Sequence, residues 1–211
     1  MLQVMEKLPA FFKEEGVWFN SYARALEITG APQPRNMEEF IALGERGADR
    51  YINALNGMGC RSELLGRAKQ TPGWRETFGF DLFNVDLEVT TGTMCHGFLQ
   101  PVYLEGTFNA PTIQQRLLDL GYHEESASGR TYYTFREDPG QPDPQVDPTV
   151  RAASSLMNRV FVGDGVLVTS PSTGPMRRSW LLWPGNPPLL LMTLLSLTWP
   201  RLWATRYPPH S

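Results

Sequence analysis

Val102, Leu104, Gly106 and Phe108 alternate with Tyr103, Glu105 and Thr107, and this period of two restricts the fold more than any other feature. It predicts a half-buried strand, which needs a sheet with one face packed against another layer. The next residues supply that layer. Asn109 stands where a helix cap belongs, Pro111 falls in the first turn, Ile113, Leu117 and Leu120 mark an inner face, and Gly121 closes the helix. Residues 122–125 and 130–135 flank a Ser-Gly turn as a hairpin. Residues 137–146 are a Pro-rich surface loop. Asp147-Pro148 then opens a helix through Met157, and Val160 and Val162 pair across Gly163-Asp164-Gly165 with Val166 and Val168 as a second hairpin. Strand, helix, hairpin, helix, hairpin is the order of an α+β fold, a mainly antiparallel sheet with helices packed on one face. A ferredoxin-like arrangement is the nearest common architecture.

Upstream, residues 17–30 begin as a short strand and continue as a helix whose Tyr22, Ala25, Leu26 and Ile28 give an apolar side, with Gly30 as its stop. Ala31-Pro-Gln-Pro34 is a linker. Asn36 and Glu39 form a capping pair for a helix in which Phe40, Leu43, Tyr51 and Leu55 recur at helical spacing. Gly44 and Gly47 weaken its middle, each by about 1 kcal/mol relative to Ala. Thr71-Pro72 caps a short buried helix over residues 74–78 that Gly79 ends. Phe80, Leu82, Phe83 and Val85 follow as core residues of a turn-rich connection. These breaks divide the chain into a strand and helix (residues 1–35), a helical segment (36–98), the ferredoxin-like core (99–170) and a tail of a different character (171–211).

After Asp164 the chain contains no acidic residue, and Trp180, Trp183, Trp199 and Trp203 lie among prolines that break any helix. A membrane span needs about 20 mostly apolar residues. The uninterrupted run 189–199 is about half of that, and Pro184, Asn186, Pro187 and Pro188 would leave backbone groups unpaired in lipid. Disordered tails are poor in apolar residues and rich in charge, the reverse of this one. A third reading is translation out of frame. In the frame beginning at the third base of each codon, both Trp-Pro pairs become Ala, Met192-Thr193 becomes Asp and Trp203-Ala204 becomes Gly. With GC-rich codons the remainder reads as an Ala-rich amphipathic helix and a second, capped one. Residues 176–211 are therefore expected to be a frameshift product, with the native domain continuing beyond them.

A length of 211 residues with 41% hydrophobic content can fill the core of one domain or two small ones. The net charge of −3, with no Lys/Arg-rich segment, gives nucleic acid no electrostatic footing. Cys60 and Cys95 are too few for a disulfide framework and do not fix the compartment. The N-terminal residues lack the parts of a signal peptide, so the chain as written is cytoplasmic, with the cell envelope as its location if the N-terminus is incomplete.

Candidate chemistry is sparse. Cys95 beside His96 is the sharpest pairing, since an imidazole can lower a thiol's pKa, with His123 as another partner. Neighbours on a strand point to opposite faces, however, and an inert cysteine is the plainer expectation. Cys60, Cys95, His96 and His123 are zinc-ligand types without zinc-ligand spacing. Glu45 and Asp49, beside Arg46 and Arg50, read as a solvated helix face with ion pairs four residues apart. Asp81, Asn84 and Asp86 are oxygen donors, but a calcium loop needs more of them and a terminal Glu. No catalytic, cofactor-binding or metal site is assigned.

Glu63-Leu-Leu-Gly66, residues 74–86 from Trp74 to Asp86, Leu104-Glu-Gly-Thr-Phe108, Leu120-Gly-Tyr122 and Gly129-Arg-Thr-Tyr-Tyr133 resemble a group of uncharacterised bacterial proteins. Many of that group are exported or lipoprotein-like, with ferredoxin-like domains. The resemblance covers roughly residues 17–170, carries no active site and implies an envelope location; the chain departs from the group in its missing export signal and its tail. The expected function is a non-enzymatic binding or structural module of the cell envelope, needing no cofactor and binding no nucleic acid. The alternatives are a small cysteine-dependent enzyme using Cys95 with His96 or His123, and a protein anchored in a membrane through residues 179–203.

Overall fold

The computed structural model describes residues 17–56, 62–71, 73–91, 101–127, 129–137 and 148–174. Strand β1 (Val17–Ser21) turns directly into helix α1 (Tyr22–Thr29), which Gly30 ends with a left-handed φ of 59°. Four helical elements follow: α2 (Met37–Ala42), α3 (Gly44–Asn56), α4 (Glu63–Gln70) and α5 (Trp74–Phe78). A 3₁₀ turn (Leu82–Asn84) leads into β2 (Val85–Thr91). The remainder is β3 (Val102–Gly106), α6 (Ala110–Asp119), β4 (His123–Ala127), β5 (Arg130–Thr134), α7 (Pro148–Ser154), β6 (Arg159–Gly163) and β7 (Val166–Ser170).

Among the described residues every strand pairing is antiparallel, and the strands form one seven-stranded sheet in the order β1-β2-β3-β7-β6-β5-β4. This is the α+β class that the element order predicts, with a sheet larger than a ferredoxin-like unit has. Its main core joins Leu26, Leu55, Leu65, Phe78, Ile113, Leu117 and Ala153 from the helical layer to Val85, Leu104, Tyr133, Val160 and Leu167 from one face of the sheet. A smaller cluster, Leu87, Val89, Tyr103, Tyr132 and Val168, belongs to the opposite face, and among the described residues it draws on strands. Val102, Tyr103 and Leu104 are therefore all buried. The alternation at 102–108 correctly marks a strand, but β3 is central rather than half exposed.

Three local differences have physical causes. The helix expected after Asn36 is divided in two, because Gly44 takes a left-handed φ of 64° and ends the first part. The cap of α5 is Gly73, not Thr71, whose carbonyl instead accepts from the Trp74 amide. Val85 and Asp86, expected to belong to a turn-rich connection over residues 79–86, open β2, which has an irregularity in register between Val85 and Leu87. This β-bulge lets Val85 join the helix-side core while Leu87 and Val89 join the other cluster. The caps at Asn36 and Asn109 are as expected, accepting from the amides of Glu39 and Thr112 at 2.8 and 3.1 Å.

The bulge also places Glu88, which has 0% exposure, on the helical side of the sheet. Its Oε2 accepts from Asn20 Nδ2 and Tyr22 Oη, both at 2.9 Å, and its Oε1 accepts from the Ser62 amide at 2.9 Å. Ser62 caps α4, so the carboxylate lies at the positive end of that helix. One side chain thus ties β1, α1, β2 and the start of α4 together.

Candidate functional site: an aromatic-walled cavity in the helical layer

The strongest candidate site lies among α2, α3, α4, α5 and the 3₁₀ turn, where the sequence predicts only core. These short elements meet at angles set by Gly44, Gly73 and Gly79, all at positive φ, and leave a cavity of about 500 Å³ between them. That volume is in the range of small-molecule pockets. One wall is a mutual cluster of Phe40, Tyr51 and Phe83, with ring centroids 5.5 to 5.9 Å apart. Another is Trp74, packed on Phe78 at 4.6 Å and edge-on to Phe80 at 6.2 Å. Ile52, Leu55 and Leu82 contribute aliphatic surface.

Most of the lining surface is apolar, and Asn56, Lys69, Gln70, Thr71, Arg75, Glu76 and Asp81 supply the polar groups at it. Arg75 donates to Asp81 at 2.9 Å, and Asp81 also accepts from the Phe83 amide while its own amide is capped by Asn84 Oδ1. The positive Lys69 and Arg75 around the cavity are balanced by Glu76 and Asp81. Trp74 is different: it is 2% exposed, and its Nε1 is buried without a hydrogen-bond acceptor.

The loosest wall is α2. None of its side chains is buried, Met37 and Ile41 are 55% and 70% exposed, and it is held chiefly through Phe40 against Tyr51 and Phe83. Local stability follows buried contact, so α2 should open more readily than α3. We expect its amides to exchange with deuterium about a hundredfold faster than those of Tyr51, Ala54 and Leu55. Equal protection in a native-state exchange experiment would show instead that the wall is fixed.

The residues singled out by sequence are dispersed. Cys60, Cys95, His96 and the tail 176–211 lie outside the described residues. His123 is on β4 at the sheet edge, its Nε2 3.3 Å from Glu125 Oε1. A hydrogen bond from the Tyr132 hydroxyl is the main cause holding the Glu125 carboxyl below the usual range. Glu45, Arg46, Asp49 and Arg50 make no ion pairs among the described residues, and Arg50 donates to the Gly30 carbonyl. Asp81 and Asn84 serve as reciprocal caps of the 3₁₀ turn. Asp86 instead accepts from Gln33, and burial, with Glu105 nearby, raises its pKa. Asp81 and Asn84 thus share one task, and Asp86 has another. Among the described residues no group of three or more His, Cys, Asp or Glu is placed to hold a metal, and no helix is long and apolar enough to cross a membrane.

Sequence reasoning places Phe40, Tyr51, Trp74 and Phe83 in the interior, but a cavity is space left between elements and has no motif. The run of glycines at helix ends around short helices is the one local signal of imperfect closure. No protein-family model, curated protein or solved structure matches the chain.

Proposed function

We propose that the protein is a non-catalytic binding module that encloses a small, largely apolar molecule between α2, α3, α5 and the 3₁₀ turn. The observation that carries this is the aromatic-walled cavity of about 500 Å³. Aromatic and aliphatic surface supplies affinity by leaving water, while few polar groups fix orientation. Among the described residues that line the cavity there is no Ser, Cys or His, so the arrangement favours holding over transforming.

Ethylnaphthalene is a suitable probe, being flat, apolar and without an acceptor. It should bind the full chain with one-to-one stoichiometry in a calorimetric or fluorescence titration. Ile52→Trp fills the cavity from α3 and should weaken that binding at least about tenfold, in line with lost apolar contact. Leu82→Trp provides the same test from the opposite wall if the first variant is unstable. Binding unchanged by both substitutions would place the probe elsewhere and refute the cavity as the site.

The cell-envelope setting follows from the resemblance of residues 17–170 and is tested by fractionating cells that express the native gene. Recovery wholly with the cytosol would count against it. A ferredoxin-like unit is also proposed within the sheet, supported by the β-α-β-β-α-β order from β3 to β6. Its departures are that β5 pairs with β4 and β6 rather than with β3, and that β7 pairs between β3 and β6.

A further inference from the structure

The walls of the cavity are not held alike. Trp74 and Phe78 of α5 and Tyr51 and Leu55 of α3 are buried, whereas α2, which brings Met37 and Phe40 to the cavity, buries no side chain. The capping hydrogen bonds of α2 run among Arg35, Asn36 and Glu39, so they tie it to no neighbour. Ile41, 70% exposed, leaves its outer side uncovered. The Phe40 ring against Tyr51 and Phe83 is the contact that seats the helix. A bond from Arg75 to the Arg35 carbonyl, at 3.4 Å and exposed, adds little.

Both ends of α2 suit a hinge. Pro34 is buried and anchors the chain ahead of it. At the far end Gly44 has a φ of 64°, and a Cβ there would meet nothing within 4 Å, so no neighbour obstructs a turn of its backbone. A helix of 6 residues does not persist without its packing, so release of Phe40 and melting of α2 are one event. We propose that α2 is the gate of the cavity: the chain between Pro34 and Gly44 lifts, Phe40 leaves Tyr51 and Phe83, and the ligand enters and departs through the gap. The assignment rests on the cavity being the binding site and adds the route by which it is reached. When the open form is rare, association and dissociation rates are both proportional to its population, while affinity is set by the closed form.

The test uses the full chain with ethylnaphthalene. In the wild type, probe at about ten times its Kd should slow deuterium exchange of the α2 amides about tenfold and leave the β4 amides unchanged, because an occupied cavity holds the gate shut. This measurement needs no variant to fold. Gly44→Ala alters a residue that does not line the cavity. The left-handed φ strains alanine in the closed form, free or occupied, and opening releases that strain. Stopped-flow fluorescence should therefore show association and dissociation rates rising together, about fivefold each, with Kd changed less than about twofold. A wall that merely lines the site would leave both rates where they were. Exchange of α2 unmoved by bound probe, or rates unmoved by Gly44→Ala, would overturn the gate while leaving the cavity as a site. Failure of the probe to bind would overturn the cavity reading and the gate with it.

Discussion

Glu88→Ala is expected to lower the stability of the fold by about 4 kcal/mol, a fall in Tm on the order of 10 °C for a chain of this size. The magnitude follows from geometry. Asn20, Tyr22 and the Ser62 amide all donate to one wholly buried carboxylate, and removing it deprives three buried donors of their common acceptor at a stroke. Glu88→Gln keeps the shape and one acceptor oxygen but turns an amide NH₂ toward donors, so its loss should be smaller, about 2 kcal/mol. Denaturant unfolding monitored by circular dichroism measures both. A loss under about 1 kcal/mol for the alanine variant would show that the carboxylate does not hold β1, α1 and α4 to the sheet.

Gly106→Ala is the second severe substitution, and it acts through backbone. A Cβ at position 106 would lie 1.8 Å from the Asn84 carbonyl oxygen, which itself accepts from the Thr107 amide at 2.8 Å. Backbone at the entrance to the β2 bulge cannot yield as a flexible side chain can. The Gly106 amide also donates to the Gly165 carbonyl, which fixes β3 against the β6–β7 turn. We expect a loss of about 3 kcal/mol. Gly66→Ala, where an added Cβ meets nothing within 4 Å, is the control and should be neutral or slightly stabilising, since Gly66 lies within α4. Equal behaviour of the two variants would mean that the close approach of Asn84 is relieved at little cost.

Most of the second half of the fold is legible in the sequence because its signals are local. Asn109, Ile113, Leu117 and Gly121 each announce a cap, a face or a stop, and β4–β5 and β6–β7 are joined by short turns. The β2 strand is harder to read. Val85, Leu87 and Val89 do alternate, but the bulge shifts the register between the first two and sends Glu88 inward, where an acid is not expected. Among the described residues, the remote partners Asn20, Tyr22 and Ser62 make that position tolerable, and sequence spacing does not reveal them. The order of strands is similarly non-local: β7 inserts between β3 and β6, a consequence of how the hairpins dock rather than of any one segment. The candidate site is the least legible part. Phe40, Tyr51, Trp74 and Phe83 carry an ordinary core signature, and only their placement around open volume distinguishes a pocket from a packed interior.

The central claim is that this volume binds a ligand, and the most direct test is a titration of the full chain with ethylnaphthalene beside the folded Ile52→Trp variant. Saturable one-to-one binding to the wild type, weakened at least about tenfold by the substitution, is the predicted result. Absence of binding to the wild type, or equal binding to both proteins, would contradict it.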